Sequence, residues 1–429
     1  MEPGDLPSLE ALRDSSIPTF SKGARMSTSL MYHAFGLTGF DYKRTDYVAG
    51  NIMFYIQPKP KLIRCPVCSS FKVIKRGQYQ RWVKTVPIGQ KSVWLVIAVP
   101  RFECRECQHV RRIDIQVADE RRWYSRAFER HALALTQSMT IKDTAKFLRV
   151  GWDTIKDIKK RYLKKHFSKP RLKDLKYIAI DEISIRKNHK YLTLVMDLIT
   201  GIVVYVGEGK DAEALDNFWK RLKQSGAKLE GVAMDMSPAY ISAVIKNSPG
   251  TPIVFDHFHV VKLMNEKLSK IRRKLHRELE QAGEKSVLKG LRWILLKNPE
   301  NLDKSRNEEE RLKEALKMNE PLTIAYYMKE DLRQIWSQAN KDDAQEVLGD
   351  WISRARASGV RMLIKMANTL ATYMHGILAF YDHQISSGPL EGVNNKVKTM
   401  KRQAYGFRDK EFFKLRILGI HETKYALTG

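Results

Sequence analysis

The pattern of apolar and polar positions changes several times along the chain. Alternating runs such as YVAGNIMFYIQ and SVWLVIAV predict short strands between residues 46 and 117. Apolar positions three and four residues apart predict helices over residues 124–167. Strands then alternate with helices over residues 176–255, and long charged helices are predicted over residues 257–381. A Gly-Pro pair at 388–389 interrupts this pattern before a final helical stretch.

Length and composition indicate an intracellular protein of several domains. The chain has 429 residues, of which 43% are hydrophobic and 10% aromatic, so it is not wholly disordered. No uncharged apolar run reaches the ~18 to 20 residues that a membrane span needs, and no basic segment followed by an apolar core opens the chain. We therefore expect a cytoplasmic protein without a membrane partner.

The charge is strongly positive and unevenly distributed. The net charge is +28, and residues 61–180 alone hold 29 basic and 10 acidic side chains. Such a concentration favours a polyanionic partner, and nucleic acid is the most abundant one. A solvated basic face on an ordinary enzyme is the alternative.

All four cysteines fall into two C-x-x-C pairs. Cys65 and Cys68 form the first pair, and Cys104 and Cys107 form the second. Each pair can place two thiolates on one tight turn, so that together they enclose a tetrahedral structural Zn²⁺ in a zinc ribbon. Because 35 residues separate the pairs, the connection must contain strands of its own. Reduced structural cysteines without metal are the alternative.

The segment after the cysteines has the plan of a helix-turn-helix. Thr140 can cap a short helix whose Ala145 and Leu148 face inward, and Gly151 tolerates the backbone of the turn before a second helix from Trp152. An unrelated helical hairpin is the alternative. If the second helix enters a major groove, its predicted DNA contacts are Thr154, Lys156, Lys159, Lys160 and Arg161.

Two aspartates stand in apolar strand-like sequence. Asp181 lies within KYIAIDEISI, and Asp235 ends the run LEGVAMD. An ionised carboxylate is costly in such surroundings unless it is paired or coordinates a metal. Two aspartates at the ends of adjacent strands can share divalent ions with a third carboxylate. Taken alone, this pair of aspartates leaves a non-catalytic role open.

Glu391 is the candidate third carboxylate. Pro389 suits the first turn of a helix, where the helix dipole favours a carboxylate, so a simple cap is the alternative. Val393, Val397 and Met400 can face the core. The polar residues that follow Glu391 on one face, as candidate phosphate-binding donors, are Asn394, Asn395, Lys398 and Arg402.

The order of these motifs resembles the bacterial insertion-sequence transposases of the ISL-three family over about residues 45–425. The zinc ribbon and helix-turn-helix come first. The motifs that carry the rest of the resemblance are I-A-I-D-E at 178–182, M-D-M-S-P-A-Y at 234–240, F-D-H-F-H-V-V-K at 255–262 and G-P-L-E-G-V-N-N-K-V-K at 388–398.

The resemblance implies a DDE transposase. Its fold would be an α/β RNase H-like catalytic core, split by a long all-helical insertion and preceded by the zinc ribbon and helix-turn-helix. Asp181, Asp235 and Glu391 match the three catalytic carboxylates that hold Mg²⁺, or Mn²⁺ in its place. Asp256 and His259 would lie beside the active site and orient catalytic groups or DNA, with a hydrogen-bonded helix start as the alternative.

Neighbouring acids receive weaker assignments. Glu182 should point away from Asp181 in a regular strand and is not expected to be a ligand. Asp197 is expected to be structural or to lie behind the ligands. The predicted domains are a poorly ordered tail at 1–45, a zinc-ribbon DNA-binding domain at 46–120, a helix-turn-helix at 121–172, a first core part at 173–260, a helical insertion at 261–386 and a last core part at 387–429.

The implied reaction is metal-dependent cleavage at the ends of an insertion sequence, followed by direct attack of the freed 3′-OH on target DNA. The implied partners are double-stranded DNA, as terminal inverted repeats and as target, and further copies of the chain in a homodimer or larger assembly. The bacterial nucleoid is the expected location. A non-catalytic DNA-binding regulator descended from a transposase is the alternative function, and a nuclease or resolvase on the same core is a third.

Overall fold

The structure is a computed structural model that describes residues 30–186, 190–283 and 288–422. The described residues form two compact units, which divide between Ile158 and Lys159. Within the described residues, no helix has the length and apolar character needed to cross a membrane.

The first unit is built on a twisted sheet followed by short helices. In the sheet, β1 pairs with β2, β2 with β4 and β4 with β3, while the short β5 pairs with the end of β4. Its elements in chain order are α1 Leu30–Phe35, β1 Phe40–Val48, β2 Asn51–Pro58, β3 Val73–Ile88, β4 Lys91–Cys104, β5 Val110–Arg112, α2 Arg126–Ser138, α3 Ile141–Leu148 and the start of α4 Trp152–Phe167.

The predicted tail at 1–45 is wrong for its last part, because α1 and the start of β1 lie within it. Met31, Phe35 and Leu37 are buried in the same core as Phe54 of β2. Burial of these apolar side chains offsets the entropy lost when the segment is ordered. Residues 1–29 lie outside the described residues.

The helix-turn-helix forms as its local sequence predicts, except at the turn. Thr140 caps α3 by accepting a hydrogen bond from the backbone N–H of Asp143, and Ala145 and Leu148 are buried. The left-handed residue is Arg149, with φ of 51°, and not Gly151. A Cβ at Gly151 would lie 2.4 Å from Oδ1 of Asp153, so a larger residue there would require the Asp153 side chain to move.

The second unit contains a mixed sheet with the order β10-β9-β6-β7-β8. Strands β6, β7 and β8 are antiparallel neighbours, whereas β9 runs parallel to β6 and β10 runs parallel to β9. The strands are β6 Tyr177–Arg186, β7 Lys190–Asp197, β8 Val203–Glu208, β9 Gly231–Met234 and β10 Ile253–Phe255.

Helices cover both faces of this sheet. The predicted helical stretch between β10 and Gly388 is confirmed by α7 to α13. The helices are α5 Asp216–Ser225, α6 Pro238–Asn247, α7 His257–Gln281, α8 Arg292–Leu296, α9 Glu308–Met318, α10 Glu320–Leu332, α11 Lys341–Ala357, α12 Arg361–Leu378, α13 Phe380–His383, α14 Gly388–Gln403 and α15 Lys410–Leu418.

The two faces of the sheet belong to different hydrophobic clusters. On one face, Ala179 and Ile183 of β6 pack with Val393 and Val397 of α14. On the other face, Ile178 and Ile180 of β6 share a hydrophobic cluster with α5, α6 and the helices from α7 to α12. Gly376 of α12 lies so close to β10 that a Cβ would be 2.4 Å from the Phe255 ring.

Because of this shared core, the predicted boundaries at 172/173 and 260/261 do not separate compact units. The helix α7 starts at His257, as the periodicity predicts, and therefore crosses the predicted domain boundary at 260/261. The boundary between the compact units lies between Ile158 and Lys159, inside α4.

Candidate active site and metal centre

The four cysteines meet at one point of the first unit. Cys65 Sγ lies 3.5 Å from Cys107 Sγ, and Cys68 Sγ lies 3.4 Å from Cys104 Sγ. All four sulfurs lie within 4.8 Å of one another. A tetrahedral Zn²⁺ with Zn–S bonds of ~2.3 Å separates its sulfurs by about 3.8 Å, so the thiols fit this ion.

The two C-x-x-C turns are built alike. Ser69 and Gln108, each directly after the second cysteine, take left-handed φ values of 61° and 57°. Their backbone N–H groups donate to the carbonyl oxygens of Cys65 and Cys104. This geometry turns each pair of thiols toward the other pair.

Backbone N–H groups also favour the thiolate form. Those of Cys68 and Val67 lower the pKa of Cys65 to about 6. Those of Cys107 and Glu106 likewise lower the pKa of Cys104. Thiolates are the form that binds zinc, so the local backbone is arranged for metal.

Asp181 and Asp235 lie side by side in the second unit. The parallel register of β6 and β9 pairs Ile180 with Met234, and an aspartate follows each of them in sequence. Asp235 follows the last residue of β9, as predicted, whereas Asp181 lies within β6 and not at its end. Asp235 Oδ1 accepts a hydrogen bond from the backbone N–H of Ser237, which begins the turn into α6.

The helix that carries Glu391 is joined to Asp181 by a buried hydrogen bond. Asn394 Nδ2 donates to Asp181 Oδ2 at 2.6 Å, and the Asn394 side chain is only 4% exposed. Leu390 and Val393 of the same helix are buried against the sheet. Packing and hydrogen bonding thus hold the first turn of α14 beside β6, with Glu391 half-buried there.

The electrostatics of these groups are those of crowded acids in a protein interior. Burial raises the pKa of Asp181 to about 6, and repulsion from Asp235 and Glu391 adds to the increase. Burial also raises the pKa of Asp235, while His259 and Lys262 act in the opposite direction. A divalent cation would relieve both the burial penalty and the repulsion.

The carboxylates of Asp181, Asp235 and Glu391 interact electrostatically, but they are not close enough together to coordinate one ion without movement. Within the described residues, the cysteines are the only group of three or more possible ligands that all lie within 4.8 Å. At least one pair among the carboxylates of Asp181, Asp235 and Glu391 is therefore separated by more than 4.8 Å.

Asp256 is buried at a helix start, as the alternative interpretation of the sequence held. Its Oδ1 accepts from the N–H of Phe258, and its Oδ2 accepts from both the N–H and the hydroxyl of Ser387. Ser387 is the N-cap of α14. Asp256 thus ties the start of α7 to the start of the helix that carries Glu391.

Two residues outside the predicted ligand set interact electrostatically with the acids. The pKa of Glu182 is raised by burial first, and then by Asp235 and Asp181, while its position in a regular stretch of β6 agrees with the expectation that it points away from Asp181. Lys262 lowers the pKa of both aspartates. It lies three residues after His259 on α7, and this helical spacing was the available signal.

Two lysines among the predicted DNA contacts on α4 have other surroundings. Lys159 is 7% exposed, and burial, with repulsion from Arg416, lowers its pKa to about 7. Lys160 Nζ lies 3.0 Å from Asp409 and 2.8 Å from Glu411. The prediction that Lys159 is an exposed DNA contact is wrong, because its side of α4 packs on protein.

The other predicted contacts are more open. Thr154, Lys156 and Arg161 are half-buried on α4. On α14, Asn395, Lys398 and Arg402 are exposed along one side, whereas Asn394 bonds to Asp181.

Comparison with known proteins decides the family. A family model described as a transposase matches residues 178–417, more than half of the chain. The chain is also 31% identical over 404 residues to the transposase of insertion sequence element IS1001 from Bordetella parapertussis, covering 91% of this chain and 98% of that protein. The chain belongs to the ISL-three family of transposases.

Matches to the N-terminal region agree with this assignment to the ISL-three family. Residues 61–107 match the zinc-finger model of transposases of the IS204, IS1001, IS1096 and IS1165 elements. Residues 114–163 match the helix-turn-helix model of the family. The predicted zinc ribbon and helix-turn-helix are therefore confirmed, and these domains imply that this ISL-three transposase binds DNA.

Other relatives are more distant. The transposase of element IS1557 from Mycobacterium tuberculosis is 26% identical over 382 residues, covering 83% of this chain and 85% of that protein. Among solved structures, the Drosophila P element transposase strand transfer complex matches 60% of this ISL-three transposase and 79% of its own chain, with 12% identity. Its TM-score of 0.28 is too low to establish a shared fold.

Proposed function

We propose that this transposase cleaves DNA at the ends of its insertion sequence and joins the resulting 3′-OH ends to target DNA by metal-dependent transesterification. The observation that carries the proposal is the meeting of Asp181 and Asp235 on adjacent parallel strands, with the helix of Glu391 hydrogen-bonded to Asp181.

We further propose that the core is RNase H-like. In support, three antiparallel strands are followed by two strands parallel to the first, in the order β10-β9-β6-β7-β8. The helices from α7 to α13 would then be the insertion, placed between β10 and α14.

The proposed ligands of Mg²⁺ or Mn²⁺ are Asp181, Asp235 and Glu391. Their fit to a divalent cation is supported by the raised pKa values of both aspartates and by the chemistry of carboxylate ligands. Such an ion, when bound, stabilises the charge that develops on the attacking and leaving oxygens of a phosphodiester.

The residues around the carboxylates hold the site in place. Asn394 fixes the orientation of Asp181, and Asp256 fixes the start of α14 through Ser387. Lys262 supplies positive charge on α7, with His259 one turn before it on the same helix, where a negatively charged phosphate must approach the acids. We propose that they position this phosphate.

The first unit would recognise the DNA, and the second unit would catalyse its cleavage and joining. The zinc ribbon and helix-turn-helix are proposed to bind the terminal inverted repeats. Because two ends must be joined in one reaction, we expect at least a dimer on DNA.

The proposal is tested with purified protein, Mg²⁺ and a labelled end of the element, scored for nicked and joined products. Asp181→Asn, Asp235→Asn and Glu391→Gln should each abolish both products while end binding persists. Asp197→Asn is the control, because Asp197 accepts hydrogen bonds from Ile199 and Thr200 in the turn after β7.

Several outcomes would contradict the proposal. Strand transfer by Glu391→Gln at normal Mg²⁺ would show that Glu391 is not one of the metal ligands. Cleavage without joining by the unmodified protein would indicate a nuclease, and binding without either product would indicate a regulator. An inactive but folded Glu182→Gln would add Glu182 to the ligands.

A further inference from the structure

A groove with a cavity of about 340 Å³ runs along α7 beside α8 in the second unit. Apolar atoms of Phe258, Val261 and Leu296 form part of its wall. The basic and polar residues that line it, apart from Ser269 and the single acid Glu266, are Lys262, Asn265, Lys270, Arg273 and Arg292.

The charge of the groove is concentrated and open to solvent. Lys262, Lys270, Arg273 and Arg292 are exposed, and Glu266 is the one acid against these four cations in the lining. Burial lowers the pKa of the adjacent Arg272, and repulsion from Arg273 and Arg292 lowers it further. Cations gathered this closely repel one another, and a polyanion relieves that repulsion.

One end of the groove lies beside the start of the helix that carries Glu391. Phe258 lines the groove and donates its backbone N–H to Asp256, and Asp256 in turn accepts hydrogen bonds from Ser387, the N-cap of α14. A chain of phosphates that has one member at the carboxylates can therefore continue past Lys262 toward Lys270 and Arg273.

The lining also offers groups suited to a nucleic acid. At the far end, the guanidinium of Arg292 lies 4.7 Å from the ring centroid of Trp293, whose side chain is 66% exposed. Exposed aromatic rings beside cations are a common surface for DNA bases and backbone.

The length of the groove corresponds to several nucleotides. From Lys262 to Arg273 is eleven residues of helix, or ~16 Å at a rise of ~1.5 Å per residue. One strand of duplex DNA advances ~3.4 Å per phosphate, so the span corresponds to about five nucleotides.

We propose that this groove binds the DNA backbone that leads away from the reacting phosphate. That DNA is either the flank beyond an uncut end of the element or the target, since both present the same phosphates. The assignment deepens the proposed function and rests on it, because it takes the acids beside Lys262 as the point of reaction.

The test compares two double variants of the full chain. The groove variant is Lys270→Gln with Arg273→Gln. The control variant is Lys274→Gln with Arg277→Gln, which removes the same two residue types at the same spacing from exposed positions of α7 outside the groove lining. Melting temperatures check that both fold.

Binding is measured on a cleaved end and on an uncut end with about six base pairs of flank, and joining is measured against increasing target DNA. Loss of two phosphate contacts should lower the slope of log affinity against log salt concentration by about 1.8. Raising the salt from 50 to 200 mM should therefore weaken binding by the groove variant roughly 12-fold less than it weakens binding by the unmodified protein. If the flank occupies the groove, this change appears on the uncut end alone. If the target does, binding to both ends is unchanged and more target DNA is needed for half-maximal joining.

Equal behaviour of the groove and control variants on every DNA would overturn the assignment. An equal loss on cleaved and uncut ends would also overturn it, since the groove would then hold the element's own end. If the unmodified protein neither cleaves nor joins, but the groove variant alone loses flank-dependent binding, the proposed function fails although the groove binds flanking DNA, so the two failures are distinguished.

Discussion

Replacing Asp181 by Asn should make the folded protein more stable at neutral pH. The Asp181 carboxylate is buried beside Asp235, and its pKa in the folded state is about 6, compared with 3.8 for an unperturbed aspartate. The folded state therefore binds more protons than the unfolded state between these values. The stability penalty of ionised Asp181 is fully present above about pH 6 and disappears below about pH 4.

The size of the effect follows from that shift. A shift of roughly two units corresponds to about 3 kcal/mol at pH 7. The amide introduced by Asp181→Asn would lose one of the two hydrogen bonds that the carboxylate accepts, from Asn394 and Glu182, at a cost of about 1 kcal/mol. The net gain of about 2 kcal/mol should raise the melting temperature by about 5 °C.

Thermal melting from pH 4 to pH 8 without divalent ions measures this difference. The gain of Asp181→Asn over the unmodified protein should grow between pH 4 and pH 6 and then level off. Asp197→Asn is the control and should show no gain. Saturating Mg²⁺ should stabilise the unmodified protein more than the variant, since a ligand of the folded state raises stability by mass action.

Two results would refute this reasoning. A variant that melts no higher than the unmodified protein at pH 7 would mean that Asp181 is not penalised by burial and repulsion. A gain of the same size at pH 4 would mean that its cause is not ionisation.

Three further predictions concern other contacts. Cys68→Ser should leave three thiolates, so that bound zinc falls from about one ion per chain to none and the ribbon unfolds. Metal analysis measures the zinc content, and proteolysis detects the unfolding. Retained zinc would contradict the prediction. Asp256→Ala removes the acceptor of three hydrogen bonds, so it should lower the free energy of unfolding by about 3 kcal/mol and impair cleavage. Ser387→Ala removes one of these bonds and should lower it by about 1 kcal/mol. If melting and cleavage assays show a larger effect for Ser387→Ala than for Asp256→Ala, Asp256 does not hold the start of α14. Lys160→Met should change the free energy of unfolding by less than about 1 kcal/mol and leave the affinity for the DNA ends unaltered, because the Lys160 ammonium is paired with Asp409 and Glu411. Weaker binding to the DNA ends would show that Lys160 contacts DNA.

The sequence by itself determined the features that depend on nearby residues. The cap at Thr140, the strand around Asp181 and the strand that ends before Asp235 follow from hydrogen bonding, pleat and periodicity within a few residues. The pairing of the cysteines follows from the chemistry of C-x-x-C, and the order of the motifs was enough to identify the family.

Only the tertiary structure decided which distant residues meet. Lys159 is buried because its side of α4 packs near Arg416, more than 250 residues away, and no local pattern reports that contact. Lys262 of α7 lowers the pKa of Asp181 in β6 and of Asp235 after β9. Asn394 bonds to Asp181 across 213 residues of chain. Burial and Coulomb interactions act through space, so the charge state and partners of the site depend on the packing of α7 and α14 against β6.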